Sequence, residues 1–242
     1  MRRQTAPNAI ADRIDGLDWA ALEADLDAQG WALIPALLEA GQCARIVGPY
    51  DRKDAFRKEV DMLRHGFGRG EYKYFAYPLP VLVQDLRRRL YPRLAPIANR
   101  WSALLAEPAR FPADLETWLE NCHRAGQTRP TPLMLRYGPG DYNRLHQDLY
   151  GEHVFPIQVA ILLSRPNSDF TGGEFVLAEQ RPRMQSRIDV VPLNQGDAVI
   201  FAVRHRPARG ARGVHRVNLR HGVSQLHSGA RTTLGVIFHD AA

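Results

Sequence analysis

The sequence predicts an α+β fold in which a mainly helical part, residues 1–130, packs on and buttresses an antiparallel β core over residues 131–242. Three observations predict it. From about Thr131 onward come five short runs rich in Val, Ile, Leu and Phe: PLMLRY, FPIQVAILLS, GGEFVLAEQ, DAVIFAVR and TTLGVIFH. PG, TGG and NQGD turns punctuate them, the pattern of a sandwich or jelly roll. Before that point, leucine and alanine recur at helical spacing instead. Finally, 242 residues with 45% hydrophobic and 24% charged content can bury one substantial core, so one structural domain is expected.

The first helix is LDWAALEADLDAQ, which stops at Gly30, a residue suited to a left-handed C-cap. WALIPALL reads as a short strand, and a helix follows from about Glu39. DRKDAFRKEVDMLR and LPVLVQDLRRRL read as further helices, with Pro92 and Pro96 expected to interrupt the second one's continuation. ADLETWLENCHRA, residues 113–125, is amphipathic. HGFGRGEY, residues 65–72, lacks the register of a phosphate-binding loop and reads as a turn.

No run approaches the ~20 apolar residues of a membrane span, and the N-terminal stretch lacks the apolar centre of a signal peptide. Only Cys43 and Cys122 are present, too few for a disulfide framework. A cytoplasmic protein without a membrane partner is expected. The net charge is +6, and arginine outnumbers lysine 29 to 3. No carboxylate side chain stands between Asp197 and Asp240, and RHRPARGARGVHRVNLR lies inside that window. Its glycines and proline predict a basic loop, with Arg204, Arg206, Arg209, Arg212, Arg216 and Arg220 available to phosphates.

The chemistry concentrates in RLHQDLYGEH, residues 144–153. Alternate residues of an extended segment point the same way, so His146 and Asp148 can reach one metal ion. A second histidine would complete a 2-His-1-carboxylate set, which holds Fe(II) on one face and leaves positions open for cosubstrate and oxygen. By position His205, His215, His221 and His227 all qualify.

His146-x-Asp148, the distal His221 and HGVSQLHSGARTTLGVIF together resemble the Fe(II)/2-oxoglutarate-dependent dioxygenases, whose core is a double-stranded β-helix of cupin-like jelly-roll type. The resemblance covers about residues 131–240 and includes the GGE strand and the GD turn. It implies iron at His146, Asp148 and His221, with His215 the alternative distal ligand. It also implies 2-oxoglutarate at Arg231, Thr233 and Tyr137, and ascorbate as a stimulant. Arginine suits the distal carboxylate because its planar fork offers two parallel donors.

YGPGDYNRLHQD is similar to the first metal motif of the AlkB-type DNA-repair dioxygenases, although Leu135 stands where that group has asparagine. The single Arg231 at short spacing is instead prolyl-hydroxylase-like. The whole most resembles a bacterial family of 2-oxoglutarate oxygenases that end in RHGVS…SG.R.TLG.IFHDA and have been proposed to act on damaged nucleic acid. That resemblance implies oxidative demethylation of an alkylated base in single-stranded or damaged DNA or RNA. Tyr142, Tyr150 and Phe155 would then line the substrate pocket. Hydroxylation of a protein or small molecule is the alternative, and a non-catalytic cupin-like binding module is the third reading.

Overall fold

The computed structural model describes residues 9–181, 183–210 and 213–242. Helix α1, Ala9–Asp15, precedes α2, Trp19–Gln29, which Asp18 caps through the Ala21 amide and Gly30 ends in the left-handed region. Strand β1, Trp31–Ile34, and helix α3, Ala40–Val47, follow as the sequence predicts. Next come β2, Phe56–Asp61, β3, Gly68–Arg69, and β4, Glu71–Phe75. Helices α4, Val81–Leu104, and α5, Leu115–Arg124, complete the N-terminal half.

The C-terminal half is all strand. It comprises β5, Leu133–Tyr137, β6, Tyr142–His146, β7, Ile157–Leu162, β8, Phe170–Gly172, and β9, Phe175–Gln180. After these come β10, Arg187–Val191, β11, Ala198–Ala202, and β12, His205–Gly210. The last three are β13, Gly213–Val223, β14, Leu226–Gly229, and β15, Arg231–Val236. All five apolar runs are therefore strands, namely β5, β7, β9, β11 and β15.

Two antiparallel sheets face each other. The larger has the order β1-β11-β7-β15-β5-β4-β2, the smaller β10-β9-β13-β6-β3, with β12 joining β13. Their inner faces and the helices share one main apolar cluster, in which Leu86, Leu90, Trp101, Val159, Ile200 and Phe238 are buried. This is the double-stranded β-helix with its helical buttress.

Four strands arise before residue 131, so strand pairing crosses that boundary. The helix expected over 51–64 is largely β2, paired with β4 in the register Val60↔Tyr72. Phe56 stacks on Phe75, 4.9 Å between ring centroids, and Lys73 reaches Glu59 at 3.1 Å. Lys and Glu favour a helix locally, but a sheet edge with a ready partner overrides that preference. The HGFGRGEY turn likewise holds β3 and the start of β4.

Helix α4 runs straight through Pro92 and Pro96. Each proline costs about 3 kcal/mol in a helix interior. Both lie on the exposed face, where water can satisfy the carbonyls they free. The opposite face buries Leu86, Leu90, Tyr91, Leu94, Ile97 and Trp101, each large apolar side chain contributing about 1.5–3 kcal/mol. Burial wins.

Candidate metal centre and cosubstrate pocket

His146 ends β6 and pairs with His221 of β13 across the smaller sheet. The next residue, Gly222, makes this possible: a Cβ there would lie 2.7 Å from the Asn143 carbonyl oxygen. Only glycine lets β13 approach β6 so closely. The two imidazoles therefore meet, with ring centroids 4.2 Å apart. Asp148, two residues on, turns its carboxylate between them. Its Oδ1 lies 3.5 Å from His146 Nε2 and its Oδ2 lies 3.3 Å from His221 Nε2. Candidate ligand atoms of the three residues all fall within 4.8 Å of one another, so they could hold a single ion.

Surrounding bonds fix His146 and Asp148, while His221 Nδ1 is buried without a hydrogen-bond partner. His146 Nδ1 lies 2.8 Å from the Arg144 carbonyl oxygen, which leaves Nε2 for the centre. Gln147 donates to Asn218 Oδ1 at 2.8 Å and to the Leu219 carbonyl at 2.7 Å. Tyr150 donates to Asp148 Oδ1 at 2.6 Å. Gln127 clamps the following loop by donating to the carbonyls of Tyr150, His153 and Asp240.

The electrostatics follow from this packing. Burial works against a charged Asp148, but hydrogen bonds from both histidines outweigh it and hold the carboxyl well below its usual range. Burial also opposes a charged His146, yet its bond to Asp148 and that carboxylate's charge raise its pKa above the usual value. His221 is pushed down, first by burial and then by the neighbouring His146.

Across a cavity of about 420 Å³, the larger sheet supplies the facing wall. Registers order its side chains: Arg231 beside Tyr137, then Thr233 beside Leu135, then Gly235 between Leu133 and Ala160. Tyr72 and Tyr74 of β4 extend the last two rows. Arg231 is only 2% exposed, and its guanidinium makes no ion pair among the described residues. Its Nη1 donates to Thr233 Oγ1 at 2.6 Å, while Nε has no partner. Burial lowers its pKa to about 10, partly offset by Tyr137 and Glu174. The Tyr137 hydroxyl makes no well-formed hydrogen bond, although the Asn143 amide lies beside it. A buried cation without an anion is costly, so this end of the cavity suits an incoming carboxylate.

Two of the expected pocket residues, Phe155 and Tyr142, lie elsewhere. Phe155 is 1% exposed and packs among Tyr91, Phe111, Trp118 and Phe238 in the main core, away from the cavity. Its position next to the metal loop in sequence did not reveal that its side chain turns inward. Tyr142 is half-buried opposite Arg69 of β3 and does not line the cavity. Tyr150 does line it, as Asp148's hydrogen-bond donor. His215 is a half-buried β13 residue outside the three-residue group.

The basic loop is instead the β12–β13 hairpin, in the register Arg206↔Val217. Arg206 is buried and bound to Glu179 at 2.5 Å, and Arg216 pairs with Glu107 at 3.0 Å. Arg204, Arg209 and Arg220 are exposed, and Arg212 lies outside the described residues. None of the described hairpin arginines lines the cavity.

Sequence reasoning missed Gln127, Gln158, Tyr72, Tyr74 and Gly222. Gln158 is buried with an unpartnered Oε1 and lines the cavity from β7. Of these, only Gly222, directly after a candidate histidine, had a local signal.

A family of oxygenases, described as catalysing oxidative methylation of damaged DNA, matches residues 70–241. The chain belongs to this family. Two uncharacterised proteins of Mycobacterium tuberculosis, from strains CDC 1551/Oshkosh and H37Rv, are each 54% identical over 168 residues, covering 69% of this chain and 72% of the relative. Among solved structures, a 2-oxoglutarate-Fe(II) oxygenase-family oxidoreductase from Burkholderia pseudomallei is similar at a TM-score of 0.55 and 18% identity, covering 94% of both chains. A Pseudomonas putida prolyl-4-hydroxylase has a TM-score of 0.54 at 16% identity, covering 90% of this chain and 96% of its own. The oxygenase thus has the fold of the 2-oxoglutarate, Fe(II)-dependent superfamily that its sequence resembles. No helix among the described residues is long and apolar enough to cross a membrane.

Proposed function

We propose that this oxygenase oxidises an alkylated nucleobase in DNA or RNA, with Fe(II) held by His146, Asp148 and His221 and 2-oxoglutarate anchored by Arg231. The observation that carries the cosubstrate assignment is the buried, anion-free Arg231 at the end of the cavity that also holds the His-Asp-His group. Two nitrogen donors and one carboxylate suit Fe(II), and they leave room on the cavity side. The family's description and the aromatic wall of Tyr72, Tyr74 and Tyr150 support a flat aromatic substrate.

Bound iron, with 2-oxoglutarate and dioxygen, supplies the oxidising power: one oxygen atom enters a substrate C–H bond and the other ends in succinate as carbon dioxide leaves. Arg231 and the Tyr137 hydroxyl receive the distal carboxylate, and Thr233 holds the guanidinium in line. His146 and His221 would hold the iron as neutral imidazoles, with the Arg144 carbonyl taking the other ring nitrogen of His146, while Tyr150 keeps Asp148 oriented. Leu133, Leu135, Phe175 and Phe201 keep water from the reacting carbon. An N-methyl group hydroxylated there releases formaldehyde.

The test is formaldehyde release from single-stranded oligonucleotides carrying 1-methyladenine or 3-methylcytosine, with His221→Ala as the blank. Formaldehyde matching oligonucleotide-stimulated succinate supports the reading. Succinate that ignores every methylated oligonucleotide, with no formaldehyde, overturns the substrate assignment.

A further inference from the structure

At the end of the cavity away from Arg231, the register Lys58↔Tyr74 brings β2 to the rim. Arg57, Lys58 and Arg129 line that cavity, and none makes an ion pair among the described residues. Arg57 is braced: its Nε donates to the Pro130 carbonyl at 2.8 Å and its guanidinium lies 4.5 Å over the Tyr74 ring. Lys58 and Arg129 are exposed. The nearby acids are engaged elsewhere, Glu59 with Lys73 and Asp61 with Arg64. Burial first, and then the like charge of Arg129, lowers the Arg57 pKa, while Tyr74 and Asp240 offset part of this; Asp240 itself is paired with Arg87. On the same cavity, His65 stacks on Phe67 at 5.4 Å, and Phe67 is 47% exposed.

Three cations without an ion pair among the described residues, lining one cavity with an exposed aromatic pair and a deep aromatic slot, form a sequence-neutral platform: charge for the backbone, a flat face for a neighbouring base. The β12–β13 hairpin also keeps Arg204, Arg209 and Arg220 exposed and without an ion pair among the described residues, but none of them lines the cavity, and Arg206 and Arg216 are engaged with Glu179 and Glu107. Neither an acidic peptide nor a small anion would use the stacked pair. We propose that Arg57, Lys58 and Arg129, with Phe67, form the docking rim for a single-stranded nucleic acid, and that the hairpin arginines do not. The proposal rests on the base-oxidation reading and locates its interface.

The experiment is fluorescence anisotropy of a labelled single-stranded DNA 12-mer over a salt series, with the Fe(II)-loaded protein. Lys58→Ser/Arg129→Ser should weaken binding on the order of tenfold and reduce the slope of log affinity against log salt by about 1.4. Arg204→Ser/Arg209→Ser/Arg220→Ser should stay within about twofold of wild type. Phe67→Ser should weaken binding by a similar factor without changing the slope. Melting temperatures confirm that the surface variants fold. Loss of affinity in the hairpin variant with none in the rim variant overturns the proposal. So does displacement of the DNA by an equally charged poly-glutamate peptide, or absence of measurable binding by wild type. Formaldehyde release is read separately: if affinity depends on the rim but no methylated base is oxidised, the interface stands and the base-oxidation reading fails.

Discussion

Gly173 vacates the space that Arg231 occupies: a Cβ on Gly173 would lie 3.0 Å from Arg231 Cδ and 2.7 Å from Leu226 Cδ1. Gly173 also sits at φ +65°, a backbone conformation that alanine adopts at a cost. The GGE motif thus acts by making room for a buried guanidinium. Gly173→Ala should raise the KM for 2-oxoglutarate by roughly tenfold, about 1.4 kcal/mol, while metal affinity stays near wild type. Steady-state succinate formation and a metal titration check both halves.

Tyr150 holds Asp148 by one short hydrogen bond. Loss of such an outer partner costs about 10–100-fold in metal affinity. Tyr150→Phe keeps the ring against Tyr74 and removes only the hydroxyl. Competition with a chromophoric chelator should show that weakening, with the melting temperature of the apoprotein little changed.

Metal uptake should also depend on pH with a definite sign. The ion requires both imidazoles neutral. In the metal-free protein Asp148 raises the His146 pKa despite burial, so protons compete there first as pH falls. Burial lowers His221, whose proton competes only at lower pH. Co(II) affinity should be flat at high pH, fall about tenfold per unit below the His146 titration, and fall more steeply below that of His221. Titrations from about pH 8 to 5 check this.

The final HDA segment is structural. Arg87 and Asp240 are both fully buried and pair at 2.8 Å; Tyr77 and His123 also bond to Asp240. Asp240→Ala leaves an uncompensated buried guanidinium and should cost about 3–5 kcal/mol of stability. Denaturant unfolding measures it.

Legibility in the sequence tracked how local each signal was. β7, β11 and β15 announce themselves because both faces are buried, and β5 and β9 because most of their residues are. His146, Asp148, His221 and Arg231 were legible as an ordered set, and the structure brings them to one cavity. β2 was not legible, because its identity comes from β4, a partner the polar FRKEVD run does not specify. Arg206 and Arg216 read as free cations because Glu179 and Glu107 are distant in sequence. The two prolines of α4 misled for a related reason: which helix face meets the core is a tertiary fact.

Iron held by His146, Asp148 and His221, turning over 2-oxoglutarate anchored on Arg231, is the core of the proposed function. Succinate formation by anaerobically purified, Fe(II)-loaded protein after oxygen is admitted tests it most directly, with Asp148→Ala and Arg231→Leu run alongside. Wild type should form succinate, Asp148→Ala none, and Arg231→Leu should respond only at much higher 2-oxoglutarate. Succinate from Asp148→Ala at the wild-type rate, or none from wild type, would contradict it.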